Sequence, residues 1–204
     1  MRTIIWDVDD VLNDLTRSWL QQAWLPAHAA STATYEALRE NPPHDLLGVS
    51  REQYQASLDA FRLSAAGRTL APDPAVLAWF QRRGADFHHV ALTATPRVSA
   101  EHVAGWVLRH FGDWIRTFGF VPSARAGETI PAYARRKAEY LRWLGRGDVL
   151  VDDNPQTVAE VTALGVAGIL VPRPWNQGHT PLIDALEAWA GVEAAERLKG
   201  TPAR

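Results

Sequence analysis

Two carboxylates spaced i, i+2, Asp7 and Asp9, follow the apolar run Ile4-Ile-Trp6. Such a run ending in acid reads as a buried strand that delivers charge to its carboxyl end. Open α/β sheets place ligands at that edge. Residues i and i+2 share an orientation while the chain is extended, so both acids could face one substrate if the strand uncoils just after Asp7. One could then attack and the other shuttle a proton. The pattern returns at 149–151, which ends in Asp152-Asp153, and at 87–92, which ends at Thr93. Carboxylates from two strand ends repel unless a cation joins them, and oxygen ligands favour Mg²⁺. Thr93 offers a hydroxyl, and the Ala94 and Thr95 amides could form an anion-binding nest. Lys137 could neutralise an oxyanion as a point charge. Together these groups describe phosphoryl transfer. Singly, each also fits a structural role: a polar turn or cap for the acids, β-propensity for Thr93, a solvated helix face for Lys137. Their consistent order at successive strand ends links them.

The elements that must position these groups follow from periodicity. After the first strand, 13–24 reads as a helix with Leu15, Trp19, Leu20 and Ala23 on one face. Prolines 26, 42 and 43 break up the next stretch around a short helical piece at 35–40. Ser50 caps a helix over 51–65, and no strand interrupts 13–69. From Pro72 helix and strand alternate: helix to 83, strand 87–92, helix 99–111, strand 118–121, helix 131–144, strand 149–151, a helix capped by Asn154, strand 168–171, helix 180–189. The last residues, from about Glu193, read as a frayed polar tail. Alternation predicts an α/β fold, a doubly wound, mainly parallel Rossmann-like sheet with a small helical cap inserted after the first strand. The core is then 1–12 and 71–204, and the cap 13–70.

With 204 residues, 47% apolar and 22% charged, the chain suits a soluble globular domain with one elaboration. A net charge of −2 supports neither a nucleic-acid polymer nor a membrane surface as partner. Cysteine is absent, which excludes disulfides, thiolate catalysis and cysteine metal sites. The chain enters a strand at once, with no charged leader or apolar signal core, and a cytoplasmic setting is expected. Lysine occurs only at 137 and 199, so only Lys137 is placed to serve a site. The histidines show no metal-ligand spacing, and His88 and His89 face opposite ways in a strand.

The set Asp7-Val-Asp-Asp-Val-Leu12, Ala91-Leu-Thr93, Lys137 and Val149-Leu-Val-Asp-Asp153 resembles the four ordered motifs of haloacid-dehalogenase-superfamily phosphohydrolases. Leu92-Thr-Ala-Thr-Pro96, the stretch from Trp106 to His110-Phe-Gly112, and Leu150-Val-Asp-Asp-Asn-Pro155 are most similar to the 5′(3′)-deoxyribonucleotidase-like group. The resemblance implies Asp7 as nucleophile, forming an aspartyl-phosphate, and Asp9 as the acid and then the base. It implies Mg²⁺ held by Asp7, the Asp9 backbone carbonyl, Asp152 and Asp153. Thr93, the Ala94 amide and Lys137 would hold the phosphoryl oxygens. Asp10 departs from the glycine often found at its position, which requires its side chain to point away from the site.

The cap should select the substrate, a small phosphorylated molecule, with a nucleoside monophosphate first and a sugar phosphate as the alternative. Trp19, Trp24, Tyr35, Tyr54 and Phe61 are candidates to stack on a base or cover an apolar group, although their helical spacing also suits cap packing. Arg17, Arg39, Arg62 and Arg97 are read as surface arginines that could otherwise meet polar substrate groups. Trp175 and Asn176 follow the last strand and could border the pocket. A catalytically silent relative that binds a phosphorylated ligand or a partner protein is the rival from another class. Sequence sets no oligomeric state.

Overall fold

The protein is seen here as a computed structural model that describes residues 1–123, 125, 126, 128, 129, 131 and 133–199. Five parallel strands form one sheet: β1 (Thr3–Trp6), β2 (His88–Thr95), β3 (Ile115–Pro122), β4 (Val149–Asp152) and β5 (Ala167–Leu170), in the order β3-β2-β1-β4-β5. β1 is central, with Trp6 paired to Ala91 on one side and Val151 on the other. Its apolar residues alternate between two layers. Ile4 and Trp6 pack with Trp79 and Phe80 of α5 (Pro74–Arg83), Trp106 and Phe111 of α6 (Arg97–Phe111) and Leu186 of α9 (Leu182–Lys199). Ile5 packs on the other face with Ala138 and Leu141 of α7 (Lys137–Leu144) and Val161 of α8 (Pro155–Thr162). A strand buried on both faces reads as an unbroken apolar run, as Ile4-Ile-Trp6 does.

The chain leaves this core at Leu12 and returns at Asp73, where the Asp73 amide donates to the Leu12 carbonyl at 2.8 Å. Between them lie α1 (Leu15–Trp19), a π-turn (Leu20–Trp24), α2 (Leu25–Ala27), a 3₁₀ turn (Tyr35–Ala37), α3 (Arg51–Leu63) and α4 (Ala65–Arg68). These helices share an apolar cluster of their own, built on Trp19, Trp24, Tyr35, Leu38, Tyr54 and Phe61. Ser50 caps α3 through the Gln53 amide, and Gln53 returns a bond to the Ser50 amide. Among the described residues no helix is long and apolar enough to cross a membrane.

Several boundaries differ from expectation. The helix expected over 131–144 begins only at Lys137, because Ala134 takes a φ of 44° that helical backbone does not allow. The helix expected over 13–24 starts at Leu15 and loosens into the π-turn just before Pro26, which has no N–H to bond back to Gln22. The piece expected at 35–40 is one 3₁₀ turn, and the helix expected over 51–65 breaks at Ser64, whose hydroxyl caps α4. Strand β3 is twice the length expected, since an edge strand carries polar residues such as Arg116 and Thr117 and lacks the continuous apolar run of a central one. The polar tail expected from Glu193 is helical to Lys199, and 200–204 lie outside the described residues.

Candidate active site

The carboxyl edge of the sheet brings the sequence candidates together. Asp7 follows β1 directly, its amide bonded to the Val151 carbonyl at 2.9 Å, and Asp152 ends β4. Neighbouring parallel strands that stop in register set the two carboxylates side by side. Lys137, the first residue of α7, reaches between them: its Nζ lies 2.7 Å from Asp7 Oδ1 and 2.8 Å from Asp152 Oδ2. Asp153 completes the cluster, and Asp7, Asp152 and Asp153 each offer an oxygen within 4.8 Å of the others. All four side chains are buried.

Burial dominates the electrostatics. It pushes Asp7 up to about 7, against the pull of Lys137, and pushes Asp153 well above the usual carboxylate range, with repulsion from Asp152 adding to it. Lys137 is raised despite its burial by the two carboxylates it touches. One ammonium thus faces three buried carboxylates. That imbalance, and a donor set made wholly of oxygen, fit a hard divalent cation such as Mg²⁺. Asp152 is oriented by the Asn154 amide at 2.8 Å, and Asn154 in turn caps α8. Asp153 is oriented by the indole N–H of Trp175, 2.8 Å from its Oδ2. The Asn176 amide donates to the backbone carbonyls of Asp153 and Val171, each at 2.8 Å, which ties the loop after β5 to the cluster.

Asp9 takes a different course. The backbone turns after Asp7, with the Leu12 amide bonded to the Val8 carbonyl at 2.9 Å. Asp10 sits at a φ of 59°, a left-handed conformation that aspartate tolerates better than most residues. Its carboxylate accepts from the Thr16 amide and hydroxyl, so the departure from glycine is accommodated. Asp9 lines the same cleft as Asp7, but its carboxylate is held by Arg62 of α3, with Nη2 at 2.9 Å and Nε at 3.2 Å. Arg62 also binds Asp59 at 3.0 Å, and Asp59 takes a two-pronged ion pair from Arg125 beyond β3, at 2.6 and 2.8 Å. Arg62 is therefore a largely buried cleft residue, a correction to its reading as a surface arginine.

The cleft above these groups has a volume of about 610 Å³. Thr93 and Ala94 line it, but the nest expected at Ala94 and Thr95 is replaced by strand: β2 runs on to Thr95, paired with β3 through Pro122. The Thr93 hydroxyl lies 3.0 Å from that of Thr95. Among the cap aromatics, Tyr54 lines the cleft, together with Trp175. Trp19, Trp24, Tyr35 and Phe61 are instead buried in the cap's own cluster, and Asn176 acts through the backbone of Asp153. Arg17 pairs with Asp14 and Glu36, and Arg39 bonds backbone carbonyls, both outside the cleft. Sequence reasoning passed over Arg51, Asp59 and Arg125. A usable signal existed for the first: Arg51, Tyr54, Gln55, Leu58 and Arg62 stand at i, i+3, i+4, i+7 and i+11, one face of α3, and all five line the cleft.

No family model matches the chain, and no curated protein matches it in sequence. Solved structures do share its fold. A haloacid dehalogenase-like hydrolase from Streptococcus pneumoniae superposes with a TM-score of 0.60 at 10% identity, over 92% of this chain and 90% of its own. A haloacid dehalogenase-like hydrolase from Xanthomonas campestris gives 0.55 at 14% identity, over 96% and 97%. A hydrolase of the same family from Deinococcus radiodurans, solved with bound phosphate and sodium, gives 0.53 at 17% identity, over 96% of each chain. The chain thus has the Rossmann-like fold of haloacid dehalogenase-type hydrolases.

Proposed function

We propose that this protein is a Mg²⁺-dependent phosphomonoesterase that works through phosphorylated Asp7. The observation that carries the reading is the juxtaposition of Asp7, Asp152, Asp153 and Lys137 at one sheet edge, with a second acid, Asp9, lining the same cleft. A dehalogenase has no use for that second acid. The phosphate bound in the Deinococcus structure supports a phosphoryl substrate.

Asp7 attacks phosphorus, and the bond to the leaving oxygen breaks as Asp9, protonated once it is released from Arg62, delivers a proton to it. Water then attacks the phosphorus of the aspartyl-phosphate. Asp9 takes the water's proton, and the Asp7 carboxylate and inorganic phosphate are released. Lys137 and the Thr93 hydroxyl hold the phosphoryl oxygens. Asp7, Asp152, Asp153 and the Asp9 backbone carbonyl would hold Mg²⁺, which when bound offsets the repulsion between phosphate and carboxylates.

For the substrate, the subfamily resemblance favours a nucleoside monophosphate. The cleft lining favours a polar alcohol such as a sugar, because four of the five cap aromatics pack inward while arginines and Gln55 face the cavity. Phosphate release from nucleoside 5′- and 3′-monophosphates, sugar phosphates and 4-nitrophenyl phosphate, with Mg²⁺ and with EDTA, separates these readings. Release that EDTA stops and Mg²⁺ restores is expected. Unchanged activity in EDTA would remove the metal, and no release from any ester would leave a silent phospho-ligand binder.

A further inference from the structure

The cleft is electrostatically divided. Its deep end holds three carboxylates against one lysine, a place for a cation and the phosphoryl group it accompanies. Its other walls carry arginines, and most of these are already neutralised. Arg62 is held by Asp9 and Asp59, Arg125 by Asp59, and Arg136 by Glu139 and Glu160. Arg51 and Arg135 differ. Both line the cleft and both are exposed, and among the described residues neither guanidinium makes a hydrogen bond or ion pair. They belong to different parts of the chain: Arg51 opens α3 in the cap segment, and Arg135 stands two residues before Lys137 in the core.

The cap face fixes the scale. Arg51 and Arg62 mark the two ends of the α3 face that lines the cleft, and eleven residues of helix separate them by about 16 Å along the axis. Arg62 meets Asp9 beside the reacting centre, so Arg51 stands toward the far end. Long arginine side chains reach back across part of that distance.

We infer that Arg51 and Arg135 form a second anion subsite, so that the substrate is a phosphomonoester whose alcohol carries a carboxylate or another phosphate at its far end. This rests on the phosphatase reading for the identity of the first phosphate, but the subsite has its own test. A guanidinium pairs with carboxylate and phosphate in the same forked geometry, so either group satisfies the site. An uncharged sugar or base leaves both arginines with water alone.

Binding is measured by calorimetry with Mg²⁺ on the full chain carrying Asp7→Asn, which blocks turnover. Two matched pairs are used: 6-phosphogluconate against glucose 6-phosphate, and fructose 1,6-bisphosphate against fructose 6-phosphate. The doubly anionic member of at least one pair binds about tenfold or more tighter, a gap typical of one well-placed charge contact. Arg51→Gln with Arg135→Gln removes that gap and leaves the singly charged ligands unchanged; both residues are exposed, so the variants fold. A gap in the first pair alone identifies a carboxylate, and in the second alone a phosphate. Equal affinities in both pairs, a gap that survives the double variant, or no binding of any of the four overturns the subsite. Turnover of 4-nitrophenyl phosphate by the unaltered protein reports separately on the phosphatase reading. A binding gap without turnover discards that reading and keeps the subsite, and turnover without a gap does the reverse.

Discussion

At the residue scale, the site depends on groups that hold the acids as much as on the acids. Trp175 shows this. Its indole N–H fixes Asp153, while its ring packs edge-on against Tyr35 with centroids 5.8 Å apart. Trp175→Phe keeps the ring and removes the bond. Partners that orient a metal ligand typically contribute tenfold to a hundredfold in affinity, so the Mg²⁺ concentration for half-maximal activity should rise at least about tenfold. The thermal midpoint should move little. An unchanged Mg²⁺ requirement would show that Asp153 needs no such support. The ligating and reacting residues were legible because acids after an apolar run are rare and ordered. Trp175 was legible only as a loop residue beyond a strand, since nothing local in Pro174-Trp-Asn176 tells an indole that caps a carboxylate from one that fills a core. Arg62 was hidden for the opposite reason. Its partner Asp9 is 53 residues away, and an arginine on a helix is ordinarily solvated.

At the element scale, the sheet was readable where its strands are central. β1 and β4 carry apolar runs that lead straight into acid, Ile4-Ile-Trp6 into Asp7 and Val149-Leu-Val151 into Asp152, whereas edge strand β3 and the irregular approach to α7 gave weaker patterns. One buried histidine joins β1, β2 and the end of α5. The Trp6 indole donates to His89 Nδ1 at 3.0 Å, so His89 carries its proton on Nε2, which lies 2.8 Å from the Gly84 carbonyl. Burial holds this neutral ring's pKa down at about 4. Unfolding restores an ordinary value near 6.5, so between about 4 and 6.5 the unfolded chain binds more protons than the folded one. The stability this linkage contributes is fully present above about pH 6.5 and is lost as pH falls towards 4, by roughly 3 kcal/mol. Urea unfolding at pH 7 and pH 4.5 should show that loss in the natural chain and a smaller one in His89→Phe. Equal losses would place the acid sensitivity elsewhere.

At the scale of the whole molecule, the arrangement joins two apolar cores across one polar cleft. The helices between Leu12 and Asp73 pack on themselves, and the chain Asp9–Arg62–Asp59–Arg125 runs from the β1 turn through α3 to the segment after β3. Asp59 holds two arginines with its side chain 14% exposed. Asp59→Asn takes an ion pair from each arginine while Asp9 still holds Arg62, and should destabilise the protein by about 2 kcal/mol in urea unfolding, less than for breaking a fully buried, isolated pair. A change within 0.5 kcal/mol, on the order of a neutral surface substitution, would mean that the bridge contributes nothing to holding the cap segment on the core. The proposed nucleophile, Asp7, lies in the same cleft. The most direct test is hydrolysis of 4-nitrophenyl phosphate in Mg²⁺ by the natural chain and by Asp7→Asn, with folding of both confirmed by circular dichroism. Turnover is expected in the first and a loss of at least about a thousandfold in the second, the scale on which removal of a nucleophile acts. Hydrolysis by a folded Asp7→Asn at the natural rate would contradict the assignment of Asp7 as nucleophile.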